Sequence, residues 1–122
     1  MAPDAEVKLV TYFNEEVFPM RIMLIQTNEN PRIIEVEHSL RVFQELVGGF
    51  IEVVEPFDDG VVIVCNETGR NEGLAINRVI NATMDICGDF FLCGQDGDGD
   101  GELTDFPAEK EIWYSSLFHL PS

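Results

Sequence analysis

Positive charge is what this sequence has least of. Seven lysines and arginines stand against 23 aspartates and glutamates, which leaves a net charge of −16 over 122 residues. A surface this negative repels phosphate, so ordinary nucleic-acid binding and attraction to anionic membrane are excluded. Long apolar runs are also missing, and the longest is far too short to span a bilayer. The N-terminal stretch carries Asp4, Glu6, Glu15 and Glu16 where a signal peptide needs a basic start and an apolar core, so no leader is expected. Cysteine is scarce and odd in number. Cys65, Cys87 and Cys93 sit in apolar surroundings and read as small hydrophobes of a reduced, cytoplasmic chain. Asn66-Glu67-Thr68 and Asn81-Ala82-Thr83 match glycosylation acceptors, but without a secretion route they carry no weight.

Catalytic signatures are thin as well. The two histidines, His38 and His119, read as surface or capping residues. Cys87 and Cys93 lack C-x-x-C spacing and have no histidine near them in sequence, which argues against zinc. No P-loop, G-x-S-x-G or H-E-x-x-H string occurs. With so many carboxylates, any chance pairing of two is uninformative. The chain is expected not to be an enzyme and to have no cofactor.

What is present is a core. The chain is 45% hydrophobic with nine phenylalanines, too apolar for a disordered acidic tail. A chain of this length buries roughly two-thirds of its unfolded surface and needs no disulfide or metal to fold. Residues 1–19 read as an appendage, either an edge strand over Val7 to Phe13 or a loose tail, and residues 20–122 read as one domain. Met20 to Gln26 and Arg32 to Glu37 are β-prone and flank a turn. Ser39 can cap a helix whose stripe is Leu40, Phe43, Leu46 and Val47, stopped by Gly48-Gly49. Phe50 to Val54 reads as a strand, Pro56 to Gly60 as a turn, and Val61 to Cys65 as a central strand. Asn66 to Gly73 is a loop, and Leu74 to Ile80 stays open between a short helix and irregular chain. Ile86 to Cys93 reads as one further strand. A last helix is expected from Pro107 to Phe118, capped by Thr104 or Asp105, with Ile112, Trp113 and Leu117 facing inward. The fold class is α+β: a small, mostly antiparallel sheet with two packed helices.

One local motif stands out. Asp96-Gly97-Asp98-Gly99-Asp100-Gly101-Glu102-Leu103 matches the opening of an EF-hand calcium loop, with acids at its first, third and fifth positions and glycine at its sixth. The twelfth position, where a bidentate glutamate belongs, is Pro107. The segment before it reads as strand, not helix. Two readings follow: a lone weak calcium loop with Asp96, Asp98 and Asp100 as ligands, helped by Glu102 or Asp105, or a solvated acidic hairpin loop.

Several strings recur in a known order: Leu46 to Val54, Pro56-Phe57-Asp58-Asp59, Cys65-Asn66-Glu67, Gly73 to Arg78 and Ile86 to Phe91. From Met20 to Phe118 the chain resembles domain-of-unknown-function family 3846, small proteins of phages, plasmids and other mobile elements. The resemblance implies a compact soluble domain of mobile-element origin and implies no activity. Within it, Arg78 lies beside apolar Ile76 and Val79 and could clamp a carboxylate or small anionic ligand, or simply neutralise nearby acids.

No basic residue lies between Arg78 and Lys110, a stretch rich in aspartate and glutamate. These acids must populate the surface, because an unpaired buried carboxylate is too costly. They read as a solubility face, as salt adaptation, or as a binding surface including Asp58, Asp59, Asp89, Asp96, Asp98, Asp100 and Glu102. On the last reading the chain is a counter-defence antagonist, anti-restriction or anti-CRISPR, that occupies the basic nucleic-acid groove of a host nuclease or regulator as DNA phosphates do. The alternatives are a calcium-responsive module using the aspartate loop, or a regulatory domain that takes a small anion through Arg78.

Overall fold

Two stretches of this chain, Val61–Cys65 and Phe90–Cys93, are apolar at every position, and strands of that kind need cover on both faces. The computed structural model, which describes residues 18–97 and 101–121, supplies it. Val7–Phe13, Asp98 and Asp100 lie outside the described residues. In chain order the elements are β1 (Pro19–Ile25), β2 (Arg32–Glu37), α1 (Leu40–Val47), β3 (Ile51–Val54) and β4 (Val61–Asn66). Then come β5 (Ile76–Asn81), β6 (Met84–Cys87), β7 (Phe90–Gln95), β8 (Leu103–Thr104), a 3-10 turn at Ala108–Lys110, and α2 (Glu111–Leu117).

The main sheet runs β2-β1-β7-β4-β3, with β8 added to the end of β7. β5 and β6 form a separate hairpin, and every pairing is antiparallel. The fold is therefore α+β, as the sequence implies. Strand alternation sorts the core into two layers. Met20, Ile22 and Leu24 of β1 join Val62, Val64, Phe91 and Cys93 under Phe43 and Val47 of α1. Met23, Ile25, Ile63, Phe90 and Leu92 face the other way, against Phe106, Tyr114 and Phe118 and the hairpin residue Ile86. β4 is buried at all six of its positions. No helix among the described residues is long and apolar enough to cross a membrane.

α1 forms where expected. The Ser39 hydroxyl accepts from the Val42 N–H at 3.2 Å, and Gly48 closes the helix in the left-handed region at φ 79°. Leu40, the first residue of the helix, stays exposed. Both N-x-T strings are local turns: the Asn66 and Asn81 side chains accept from the Thr68 and Thr83 N–H groups at 2.8 and 2.9 Å.

Three expectations need correcting. The ambiguous Leu74–Ile80 stretch contains neither helix nor purely irregular chain, for Ile76–Asn81 is strand β5. Two register shifts against β6 break its alternation, which hides the period of two. Ile86–Cys93 is not one strand. Gly88, at φ 83°, turns the chain from the hairpin into the main sheet, and the Asp89 carboxylate accepts from the Thr27 N–H at 3.0 Å. The last helix is shorter than expected and rotated. Thr104 belongs to β8, and Asp105 accepts from the Arg21 N–H at 2.8 Å, so neither caps it. The 3-10 turn delays the helix to Glu111, where no side chain caps it. Tyr114 and Phe118 take the inner face, while Ile112, Trp113 and Leu117 point outward. Neighbouring helical positions differ by about 100°, so this helix carries two apolar stripes side by side. The aromatic pair wins the interior because Tyr114 and Phe118 pack with Phe57, Phe90 and Phe106 in one edge-to-face cluster.

Candidate functional site

The surface around α2 draws on the β3–β4 turn, the 3-10 turn before the helix and strand β1. The β3–β4 turn supplies Asp58 and Asp59. Asp58 sits at φ 56°, exposed, and Gly60 at φ 89° completes the turn. The Asp59 carboxylate accepts from the Val61 N–H at 3.0 Å and from the Tyr114 hydroxyl at 2.7 Å. Lys110 Nζ lies 3.2 Å from the same carboxylate and donates to the Asp59 carbonyl at 2.7 Å. Asp59 thus ties the turn to α2, while Asp58 presents its charge to solvent. On the other flank, Arg21 Nη1 lies 3.7 Å from Glu111, and its guanidinium sits 5.8 Å from the Phe106 ring centre. Exposed Glu109 belongs to the same end of the helix.

Arg78 does not lie open to a ligand along most of its edge. Its Nε donates to the Phe118 carbonyl at 3.0 Å, Nη1 to the Asn77 carbonyl and side-chain oxygen at 3.1 and 2.6 Å, and Nη2 to the Glu29 carbonyl at 2.6 Å. Its partners are backbone and amide oxygens, not acids. Burial pushes its pKa down from the ordinary arginine value. The side chain works as a strut between β5, the end of α2 and the β1–β2 turn.

The aspartate loop is a hairpin loop. β7 leads in and β8 leads out, and the Asp96 N–H donates to the Glu102 carbonyl at 2.9 Å. Gln95 Nε2 donates to the Gly101 carbonyl at 3.1 Å. A side chain at Gly101 would collide with the Asp96 carbonyl, so glycine is required there. The Glu102 carboxylate points toward His38, whose Nε2 lies 3.5 Å away and 2.8 Å from the Leu103 carbonyl. Among the described residues no group of three or more His, Cys, Asp or Glu side chains is placed to hold a metal ion. Of the expected surface acids, the structure gathers Asp58 and Asp59 beside α2. Asp96 and Glu102 sit on the β7–β8 loop, and Asp89 belongs to the turn beside Thr27.

A cleft of about 260 Å³ opens between the β3–β4 strands and the β5–β6 hairpin. Glu52, Glu67 and Asp85 line it with Cys65 and Cys87, and Arg70 pairs with Asp85 at its mouth. Burial, with the Glu52 charge, pushes the Cys65 thiol up to about 11, so it stays protonated at neutral pH. The cleft therefore offers no reactive thiolate at Cys65.

Every described lysine and arginine is engaged: Arg21, Arg41, Arg70 and Lys110 by acids, Arg32 by Gln26, and Arg78 by oxygens of the chain. Asp58, Glu67, Asp96 and Glu109, in contrast, form no ion pair among the described residues. The sequence reading missed Tyr114, the anchor of α2, and the outward stripe next to it. The signal was there, since residues 112–118 satisfy two helical stripes at once and only the aromatic one closes a cluster.

No curated protein and no solved structure matches the chain. The family model for a domain of unknown function (DUF3846) matches residues 20–119, which run from β1 to just beyond α2. That match takes in the sheet, both helices and the acidic turns, and the chain belongs to the DUF3846 family.

Proposed function

We propose that this protein is a non-catalytic binding protein of a phage or related mobile element. It acts in the host cytoplasm by covering a basic surface of a host protein, as a counter-defence antagonist of restriction or CRISPR machinery would. The carrying observation is the asymmetry of its charges: the described cations are all engaged internally, while surface acids such as Asp58, Asp96 and Glu109 have no described cation facing them. On a chain of net charge −16 this leaves a negative field directed outward. A nuclease or DNA-binding regulator presents the complementary field in the groove that holds phosphates.

The test is capture from host lysate at low and high salt, followed by competition with duplex DNA. The expected partner is a nuclease or DNA-binding regulator that is released as salt rises and displaced by DNA. Tight capture that ignores both salt and DNA would sink the reading.

A further inference from the structure

Three large apolar side chains stand on the outward face of α2, and no other element among the described residues covers them. Ile112 is 83% exposed, Trp113 59% and Leu117 49%; Trp113 and Leu117 stand four residues apart, one turn of helix, and Ile112 adjoins Trp113 on the solvent side. An isolated exposed leucine needs no explanation, but a tryptophan flanked by two aliphatic side chains on one stripe marks a contact surface. The helix is not free to turn this stripe inward, because the Tyr114 hydroxyl is bonded to Asp59 and Phe118 is buried. Around the stripe lie Asp58, Glu109 and Glu111, and the nearby cations Arg21 and Lys110 are already held by Glu111 and Asp59. An apolar stripe with an acidic rim selects for its opposite.

We propose that this face docks a basic amphipathic helix of the partner, with apolar side chains against Trp113 and lysines or arginines against the rim. The inference narrows the reading above to one place and rests on it for the sign of the partner's charge. A second copy of this chain suits the stripe poorly. It would bring two acidic rims together, each on a chain of net charge −16. Helix-in-groove recognition uses anchors three and four residues apart, and aromatic anchors dominate such contacts.

The chain's single tryptophan makes the test direct. The probes are a synthetic leucine–lysine amphipathic helix, the same peptide with glutamate for lysine, and oligolysine of equal length. The leucine–lysine helix is expected to bind with a blue shift of Trp113 emission, and the glutamate version is not expected to bind. The double variant Ile112→Ser with Leu117→Ser should bind the leucine–lysine helix about tenfold more weakly or worse. Both sites are exposed, so its melting temperature should stay near that of the wild type. The proposal is overturned if the variant binds as well as the wild type, or if binding leaves Trp113 emission unmoved while oligolysine binds equally. The acidic-surface reading then survives at another place. If neither cationic peptide binds, both readings fall. A dimer that the double variant dissociates would assign the stripe to a second copy and also overturn it.

Discussion

The Tyr114 hydroxyl donates to the Asp59 carboxylate at 2.7 Å across 55 positions of sequence, and this bond sets the rotation of α2. Burial acts to raise the Asp59 pKa, but the donors Tyr114, Val61 and Lys110 outweigh it and the pKa is lowered. An unfolded aspartate titrates near about 3.9. Stability from this site is therefore present above that value and is lost as pH falls through the lower folded value. Asp59→Asn should melt below the wild type at pH 7, and the gap should narrow as the pH falls below about 4. Thermal melts across that range check it, and a gap independent of pH would count against the assignment.

Tyr114 titrates in the opposite sense. Burial, then the hydrogen bond and charge of Asp59, push its phenol well above the ordinary tyrosine value. The stabilising contribution is complete below the unfolded value of about 10 and is lost as pH rises toward the folded one. Tyr114→Phe keeps the ring in its cluster and removes one donor from Asp59, at a cost of about 1 kcal/mol at pH 7. Urea unfolding at neutral and alkaline pH should show the variant losing less stability than the wild type above pH ~10.

Arg78→Ala should lower stability by about 1–2 kcal/mol, because it removes the donor from the half-buried carbonyls of Asn77 in β5 and Phe118 at the end of α2, while the exposed Glu29 carbonyl turns to water. Arg78→Lys should recover only part of this, since an ammonium cannot reproduce the fork. Millimolar phosphate should leave the wild-type melting temperature unchanged. A clear rise with phosphate that Arg78→Ala abolishes would restore the anion-clamp role.

Gly94 is where β8 lies against β7. An added Cβ would come within 2.6 Å of the Thr104 hydroxyl and 2.8 Å of the Asp105 carbonyl. Gly94→Ala should push β8 away and weaken the Asp105–Arg21 bond beside it, costing about 1–3 kcal/mol. A chemical-denaturation midpoint equal to that of the wild type would show that the strand yields freely.

Calcium is the last test. Pro107 stands where the closing glutamate of a calcium loop belongs, and the substitute Asp105 already accepts from the Arg21 N–H. Millimolar calcium should therefore move neither the melting temperature nor Trp113 emission. A ligand at a hundred times its dissociation constant would add about 2.7 kcal/mol, an effect easily seen. Such a shift would make the aspartate loop the functional site.

The first four strands were legible because they are bounded by strong punctuation. Asn28 to Pro31, Gly48-Gly49 and Pro56 to Gly60 separate runs whose composition leaves little choice. The β5–β6 hairpin was not legible, since its bulges place apolar Ile76 and Val79 in solvent and destroy the alternation. The rotation of α2 was hidden for another reason. Trp113 and Tyr114 are adjacent and both aromatic, and only the distant partners Asp59 and Phe57 decide which one turns inward. Of the candidate site, the amount of charge was readable from composition. Which acids have no cation facing them was not, because pairs such as Arg70–Asp85 and Arg21–Glu111 join distant parts of the chain.

The central strand of the sheet is made after both of its flanking strands. Leu92 of β7 faces Met23 of β1 on one side and Ile63 of β4 on the other. As the chain leaves the ribosome, β1–β2 and β3–β4 emerge as two separate hairpins, and the edges that β7 later covers, on β1 and β4, stand unpaired. They cannot become a single sheet until the strand beginning at Phe90 slides between them. From the completion of β4 at Asn66 until that strand arrives, this protein is two halves waiting for a keystone, and the speed of its arrival sets how long its stickiest edges stand open.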